Sequence, residues 1–419
     1  MSTPVTLAVV GAGSRGSGYA RLAEQLPERA RVVAVAEPRD LYRQRLAAQH
    51  GIQASQVFSD WRDLAASPKL ADAVLVCTQD AMHVEPAVAF AEAGYHVLLE
   101  KPMAPEEAGC RRIVDAIEKA GVLFAVAHVS RYTTYSQRMK AMLDDGLIGD
   151  VVSLQRLEPV GYWHQAHSFV RGNWRNETES SSMLLAKSCH DLDWIRYMMG
   201  VSCEAVSSFG SLRHFRVEER PEGAAERCLD CAVEADCPYS ARKIYLGRLE
   251  QGQVGWPLNV LTPEPTVESV TAALRDGPYG RCVYACDNDV VDHQVVNMRF
   301  ANGSTAAFTM TAFTEAGGRR TNIFGSRGHL FGDGQHIHHF DFLTDKTEVV
   351  DTATGDASII GGHGGGDGGL MDGFVRAVAA GDPSSILSGA RETLESHLMV
   401  FAAETARRED RVVAVNSGC

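Results

Sequence analysis

The sequence has no excess of positive charge, no basic stretch at its start and no long apolar run. Its Lys and Arg residues number 40 against 53 Asp and Glu, a formal net charge of −13. Nucleic acid is therefore not an expected partner, because displacing counterions from phosphates needs a dominant basic surface. The first residues, MSTPVTLAVVGAGSRG, lack a basic leader, and the apolar run from Leu7 to Val10 falls far short of the ~20 residues of a membrane helix. We expect a cytoplasmic protein with no membrane contact. Internal repeats are absent too, and the one low-complexity stretch is GGHGGGDGGLMDGF, whose glycines predict a mobile or tightly folded loop before a helix.

What is present is enough for a large core: 419 residues, 45% of them hydrophobic, which suggests more than one domain. The opening VTLAVVGAGSRGSGYARLAEQL passes from a β-branched strand through Gly11, Gly13 and Gly16 into a helical pattern. In that setting the first glycine permits a tight turn, the second lets a pyrophosphate approach the backbone, and the third lets helix and strand pack closely. Ser14 and Arg15 lie in the same loop, where helix N–H groups favour phosphate. The next strand, RVVAVAE, ends at Glu37, placed to accept from the adenosine ribose; this favours NAD, while Arg39 nearby is the feature that would accommodate the extra phosphate of NADP. Strands and helices go on alternating through ADAVLVCT, HVLLE and LFAVAHV, the rhythm of a doubly wound parallel sheet. Ligands of such sheets lie beyond the carboxyl ends of the strands, where Thr78, Glu100, Lys101 and His128 fall.

The segments VVGAGSRG, VCTQDAMHVEPAVAFAEAGYHVLLEKP and HVSRY together resemble the glucose-fructose oxidoreductase, inositol dehydrogenase and rhizopine catabolism family. The resemblance implies that Lys101, in Glu100-Lys101-Pro102, lies beside the nicotinamide and the reacting hydroxyl, and that Thr78, Gln79, His83 and Glu100 shape the cofactor loop. Where the family usually has T-P-N, this chain has Thr78-Gln79-Asp80. Further on, GNWRNETESSSMLLAKSCHDLDWIRYMMG is similar to the family's W-R … G-G-G … D-x-x-x-H-x-x-D segment. Trp174 and Arg175 match the W-R near the cofactor, and His190 matches the proton carrier. Asp193 matches the following acid, which we read as structural, paired with backbone or Arg196. Ala186 stands where the family has an acid, with Lys187 beside it. On a helix Lys187 and His190 share a face. We assign His190 as acid/base, Lys187 as substrate-orienting group or second base, and Lys101 as hydroxyl polariser.

We divide the chain into residues 1–128, an NAD-binding domain, and 129–419, an α+β substrate-binding domain with a mainly antiparallel sheet and a Cys-rich insertion at about 225–286. After Gly149 the pattern reads as a long loop, a helix, the insertion and then strands; Asn302-Gly303 marks a hairpin turn, and TNIFGSRGHLFGDG continues the meander. The resemblance implies that this sheet carries the substrate face and the contacts of a homo-oligomer, and that the helix ARETLESHLMVFAAETARR packs back on the first domain.

Aromatic and basic residues crowd GYWHQAHSFVRGNWRN: Trp163, His164, His167 and Arg171 suit a sugar ring and an anionic substituent. Tyr132 is a further substrate candidate, and the run Asn288, Asp289, Asp292, His293 is either site or scaffold. His363 sits in a loop similar to the histidine–glycine loop of some NAD-dependent glycosidases related to the family. Cys228, Cys231 and Cys237, spaced C-x2-C-x5-C, with Cys282 or Cys286 as fourth ligand, suit a closed structural zinc site; free thiols and an iron–sulfur or redox role are the alternatives.

Three functions fit. The first is NAD-dependent oxidation of a ring C–OH of a sugar, glycoside or cyclitol, with an anionic sugar a natural substrate. The second is NAD-dependent glycoside hydrolysis by transient oxidation, elimination, hydration and re-reduction, on acidic (uronic or sulfonated) glycosides. The third is a non-catalytic NAD or sugar sensor, against which the retained Glu100-Lys101-Pro102 and His190 weigh.

Overall fold

A computed structural model describes residues 3–353 and 363–415. The β-branched runs of the first third form β1 (Val5–Val10), β2 (Ala30–Ala36), β3 (Val57–Phe58), β4 (Ala73–Val76), β5 (His96–Leu99) and β6 (Phe124–Val126). They pair in the order β3-β2-β1-β4-β5-β6 and every pair is parallel. Side-chain alternation divides β1 between two cores. Leu7 and Val9 pack with Tyr19, Ala20 and Phe374, whereas Ala8 and Val10 face Phe90 and Ile113. Helices thus cover both faces of the sheet, and the order reverses between β1 and β4, which opens a crevice at the carboxyl ends of the strands.

A second sheet contains β7 (Val151–Pro159), β8 (Cys203–Ser211), β9 (His293–Phe300), β10 (Thr305–Thr311), β11 (Arg320–Gly325), β12 (Gly328–Gly332), β13 (His336–Asp341), β14 (Lys346–Asp351) and β15 (Val413–Ala414). Its order is β14-β13-β12-β11-β7-β10-β9-β8-β15, and only β7 and β10 run parallel. The β9–β10 hairpin turns at Asn302-Gly303, where Gly303 has φ +84°, a conformation that favours glycine. Two expectations need correction. Residues 151–159 are a central strand and not a loop, and β7 lies between β10 and β11, so the meander is interrupted. Inward Arg156 and Glu158 on β7 break the apolar alternation by which a strand is recognised.

The helix Met183–Met199 lies on this sheet, buried along nearly its whole length, with the helix Ala390–Glu409 against it. That second helix also packs on Glu107–Ala120, so the two sheets share one continuous core. Asp193 is indeed internal, but its partner is Arg131; Arg196 pairs with Glu395. The glycine-rich stretch is mostly helix: Gly366–Ala380. A Cβ on Gly366 would sit 2.3 Å from the Val129 carbonyl oxygen, and one on Gly369 would sit 2.7 Å from that of Tyr132. Close approach of this helix to the turn at 129–132 is what those glycines allow. Residues 354–362 lie outside the description. Among the described residues no helix is long and apolar enough to cross a membrane.

Between β8 and β9 the insertion folds as short helical turns around a small core of its own, with Phe215, Tyr239, Tyr245, Tyr279 and Tyr284 at its centre. The polar run at its end is scaffold. Asn288 donates to the Phe215 carbonyl, Asp289 accepts from Asn176 and the Glu177 amide, and Asp292 accepts from the Arg213 and His214 amides. His293 Nδ1 lies 2.8 Å from Asp292.

Candidate active site

The glycine loop has the shape a pyrophosphate needs. Gly11 takes φ +91°, and a Cβ there would meet the Cys77 carbonyl oxygen at 2.5 Å; a Cβ on Gly16 would stand 1.9 Å from the Gly11 oxygen. Gly13 caps the helix Ser14–Glu24 without a side-chain bond, and a Cβ on it would meet nothing closer than Arg39 at 3.5 Å. The open space above Gly13 and the uncapped helix start fit a dinucleotide phosphate. Glu37, buried at the end of β2, accepts from the Ala12 amide at 2.8 Å and from the Arg39 guanidinium at 2.7 and 3.0 Å. Burial opposes its charge, but the bonds from Arg39 and Ala12 hold its pKa below the usual carboxylate value.

Glu100 faces inward. Its Oε1 accepts from Arg15 at 2.6 Å and from the Tyr19 hydroxyl at 2.9 Å, and Oε2 accepts from the Lys101 amide at 2.9 Å. Despite burial, Arg15 keeps it ionised. Arg15 also reaches Asp367, at 2.6 Å, on the glycine-rich helix. Both acids pair with Arg15, and these bonds fix the shape of the loop. His83 is likewise internal: fully buried, its Nδ1 lies 2.7 Å from the Pro102 carbonyl and its Nε2 lies 3.2 Å from that of Thr78. It ties the Thr78 loop, with Gln79 next in line, to the loop after Lys101.

The Lys101 ammonium donates to the Ala186 carbonyl at 2.6 Å. This bond joins the end of β5 to the helix Met183–Met199 at the position where the family motif has an acid. One turn along, the His190 ring stands edge-on to His128, centroids 5.6 Å apart, and His128 is as far from His397. His397 accepts from the Met103 amide at 3.0 Å, and its other nitrogen lies 2.8 Å from the Thr393 carbonyl, so Nδ1 carries the proton. Burial pushes His397 down to about 4 and His128 to about 3. His397 and His128, which lie between the loop behind Lys101 and His190, are thus neutral near pH 7.

Lys187 lies 3.2 Å from Glu158 on β7, Glu158 lies 2.9 Å from Arg319, Arg319 lies 2.6 Å from Asp191, and Asp191 lies 2.8 Å from Arg156. Charges alternate along this buried row, which is how ions are tolerated out of water. Burial opposes ionisation of Asp191, but Arg319 and Arg156 hold its pKa down. Glu158, Arg319 and His397 were not singled out from the sequence. No local sequence signal marks them, because their partners are brought together by chain pairing.

His164 joins the amines: burial, then Lys187, His167 and Lys101, push it down to about 2. Its ring stacks with Trp163, and both contact Trp256 of the insertion, at 4.9 Å for His164 and 5.2 Å for Trp163. Half-exposed Trp256 completes an aromatic ledge beside Lys187.

Tyr132, His167 and Arg171 are placed elsewhere, whereas Trp174 reaches the Thr78-Gln79-Asp80 loop. The Tyr132 hydroxyl lies 3.0 Å from Ser388 and accepts from the Leu387 amide, fastening the two ends of the fold. His167 stacks on Tyr279 and lies 3.0 Å from the Tyr245 hydroxyl, inside the insertion core. Arg171, wholly buried, donates to the Arg281 and Tyr239 carbonyls. Both are drawn inward because residues 165–171 form a wide helical turn that packs on the insertion. Arg175 pairs with Asp287 at 2.9 Å and with Glu179, and Trp174 donates to Asp80 at 3.3 Å. The His363 side chain is outside the described set, although residues 363–365 form a short turn. The tetrahedral zinc site is not formed: among the described residues no three potential ligands are grouped closely enough to hold one ion. Cys228, Cys231, Cys237 and Cys282 line a cavity of about 300 Å³ instead.

Comparison with known proteins identifies the family and the fold. Two models of one oxidoreductase family match the chain, an NAD-binding Rossmann fold over residues 5–128 and a C-terminal alpha/beta domain over 140–415. An inositol 2-dehydrogenase of Klebsiella pneumoniae is 34% identical over 194 residues, 46% of this chain and 54% of the relative. A 2,7-anhydro-N-acetylneuraminate hydratase of Mediterraneibacter gnavus is 30% identical over 206 residues, 49% of this chain and 52% of the relative. The chain spans about half the length of these curated relatives. Levoglucosan dehydrogenase, solved with NADH and levoglucosan, has the same fold, with a TM-score of 0.72 at 18% identity over 98% of this chain and 99% of its own.

Proposed function

Since the chain belongs to the Gfo/Idh/MocA oxidoreductase family, we propose that it is an NAD-dependent enzyme removing hydride from a ring C–OH of a sugar, glycoside or cyclitol. The carrying observation is the 2.6 Å bond from the Lys101 ammonium to the Ala186 carbonyl, which holds the amine at the helix that bears Lys187 and His190. Bound at the glycine loop, NAD would supply the hydride acceptor. Lys101 then donates to the reacting hydroxyl oxygen, and His190 takes its proton. Lys187, held by Glu158, orients a neighbouring hydroxyl or an anionic group, and Trp163, His164 and Trp256 receive the face of the ring. Glu37 supports NAD over NADP, because its carboxylate already engages the Arg39 guanidinium that would otherwise meet a 2′-phosphate.

The paired Lys187 and Glu158 favour a second reading. Oxidation at one ring carbon acidifies the adjacent C–H, so that a base can remove that proton while an aglycone leaves; water then adds and the ketone is reduced again. The similarity to an anhydro-sugar hydratase supports this alternative.

The test is a panel of neutral and anionic sugars, cyclitols and aryl glycosides assayed with NAD in deuterated water. NADH formation supports oxidation. Aglycone release without NADH, with deuterium entering beside the oxidised carbon, supports the redox-cycling hydrolase. Silence on both readouts, with NAD binding intact, overturns both in favour of a sensor.

A further inference from the structure

The insertion carries a second, unassigned set of reactive side chains. Its loops fold around a core of few residues with little regular secondary structure, the situation in which small folds rely on a covalent or metal staple. Its cysteines form no disulfide. Chain pairing nonetheless brings two distant cysteine segments side by side: Arg227 bridges to Arg281, and the Cys282 amide donates to the Glu226 carbonyl at 2.8 Å. Cys228, Cys231, Cys237 and Cys282 thereby line one cavity of about 300 Å³.

Two features of this cavity point to its occupant. The first is size. A single tetrahedral zinc at ~2.3 Å from each sulfur draws four thiolates into one tight group, and among the described residues no such group exists. Ala224, Ala225, Val233 and Val283 give the cavity apolar walls. The second is charge. Arg171 borders the cavity fully buried, forms no salt bridge among the described residues, leaves Nη1 without a hydrogen-bond partner, and points Nη2 at the Cys228 sulfur from 3.4 Å. A buried guanidinium without a counter-ion is costly. The two rim acids do not answer it: Glu234 bonds the Ser240 hydroxyl, and Asp236 is exposed.

We propose that Cys228, Cys231, Cys237 and Cys282 hold a [4Fe–4S] cluster in this cavity, with Arg171 as its buried counter-ion. A cubane spreads its four cysteine sulfurs far wider than one ion does, and with four thiolates it is anionic, which gives Arg171 its missing partner. The cluster would be a staple. It pins the wide turn 165–171 through Arg171 and thereby sets the neighbouring Trp163 and His164 of the aromatic ledge.

The full chain should be expressed with iron and cysteine supplied, purified without oxygen, and analysed for iron, acid-labile sulfide and zinc. About four iron and four sulfide per chain, with a visible charge-transfer band that dithionite bleaches, is the expected result. Cys231→Ser and Cys237→Ser should each lose most of the iron, whereas Cys110→Ser, buried in the core of the first sheet, should keep it. One zinc per chain, or iron and sulfide below a tenth per chain after anaerobic reconstitution, overturns the proposal. None of these readouts uses turnover, so the result is independent of the reaction proposed for Lys101 and His190.

Discussion

Lys187 and Glu158, from a helix and from the middle strand of the second sheet, face each other at 3.2 Å, and Arg319 closes on the far oxygen of the same carboxylate at 2.9 Å. The acid that is absent at position 186 therefore has a counterpart on β7, held one amine away. Lys187→Met should lower kcat/KM about 100-fold on the best substrate of the panel, and Lys187→Arg should restore little, because a planar fork does not replace a point charge. An unchanged kcat/KM in Lys187→Met would remove this residue from the site.

Lys101→Met is expected to lower kcat about 1,000-fold while NADH binding, followed by fluorescence titration, changes far less. The mutation takes away the donor to the reacting oxygen and leaves the glycine loop intact. Equal losses in kcat and in NADH affinity would instead make Lys101 a cofactor-binding residue.

In the proposed reading Glu37 governs the choice between NAD and NADP. Replacing it by serine releases Arg39 for a 2′-phosphate, so the ratio of NADP to NAD affinity should rise at least about 10-fold, a change of ~1.4 kcal/mol. Calorimetric titration of both dinucleotides against wild type and Glu37→Ser measures it. No change in the ratio would show that the Glu37–Arg39 pair does not discriminate.

Stability depends on a second buried pair. Arg131 grips Asp193 with two bonds of 2.7 Å, and Ser396 adds a third at 3.0 Å. Asp193→Asn leaves a buried guanidinium without its counter-ion and should cost about 3–5 kcal/mol in urea unfolding. A cost under about 1 kcal/mol would mean that the pair is replaceable by neutral bonds.

The buried histidines set a pH dependence. His128, His167 and His397 lie at about 3, 3 and 4, lowered first by burial in each case, whereas in the unfolded chain they titrate near about 6.5. Between those values the unfolded chain binds protons that the folded chain refuses, so stability is full above about pH 7 and falls as pH drops. Each histidine contributes a slope of about 1.4 kcal/mol per pH unit well below its unfolded pKa. Urea midpoints measured from pH 7.5 to 5 should decline, and His128→Asn should make the decline shallower. A flat profile would rule the histidine row out as the cause.

Much of this architecture was legible in the sequence because it depends on local rules. The glycine spacing before a helix gave the nucleotide loop, strand–helix alternation gave the parallel sheet, and Asn302-Gly303 gave the hairpin. Residues whose meaning depends on distant partners were harder to read. Arg171 and His167 look like substrate ligands in a segment rich in rings and charges, and only the insertion, 68 to 110 residues further on, shows that they turn inward. Glu158 was passed over for the opposite reason. In a stretch that reads as loop an acid is taken for surface, and Lys187 and Arg319, its partners, are supplied by chain pairing that no local pattern encodes.

The bond between Arg15 and Asp367, together with the Ser388 carbonyl accepting from the Val126 amide of β6, has a consequence for biosynthesis. The nucleotide domain is synthesised well before Asp367 and Ser388, yet its loop and its edge strand are fastened by these later residues. Order of synthesis and order of completion run in opposite directions. A nascent chain stalled near residue 350 would carry every strand of the parallel sheet but would lack the helix and the carboxylate that steady Arg15, so competence to grip the dinucleotide arrives late in translation.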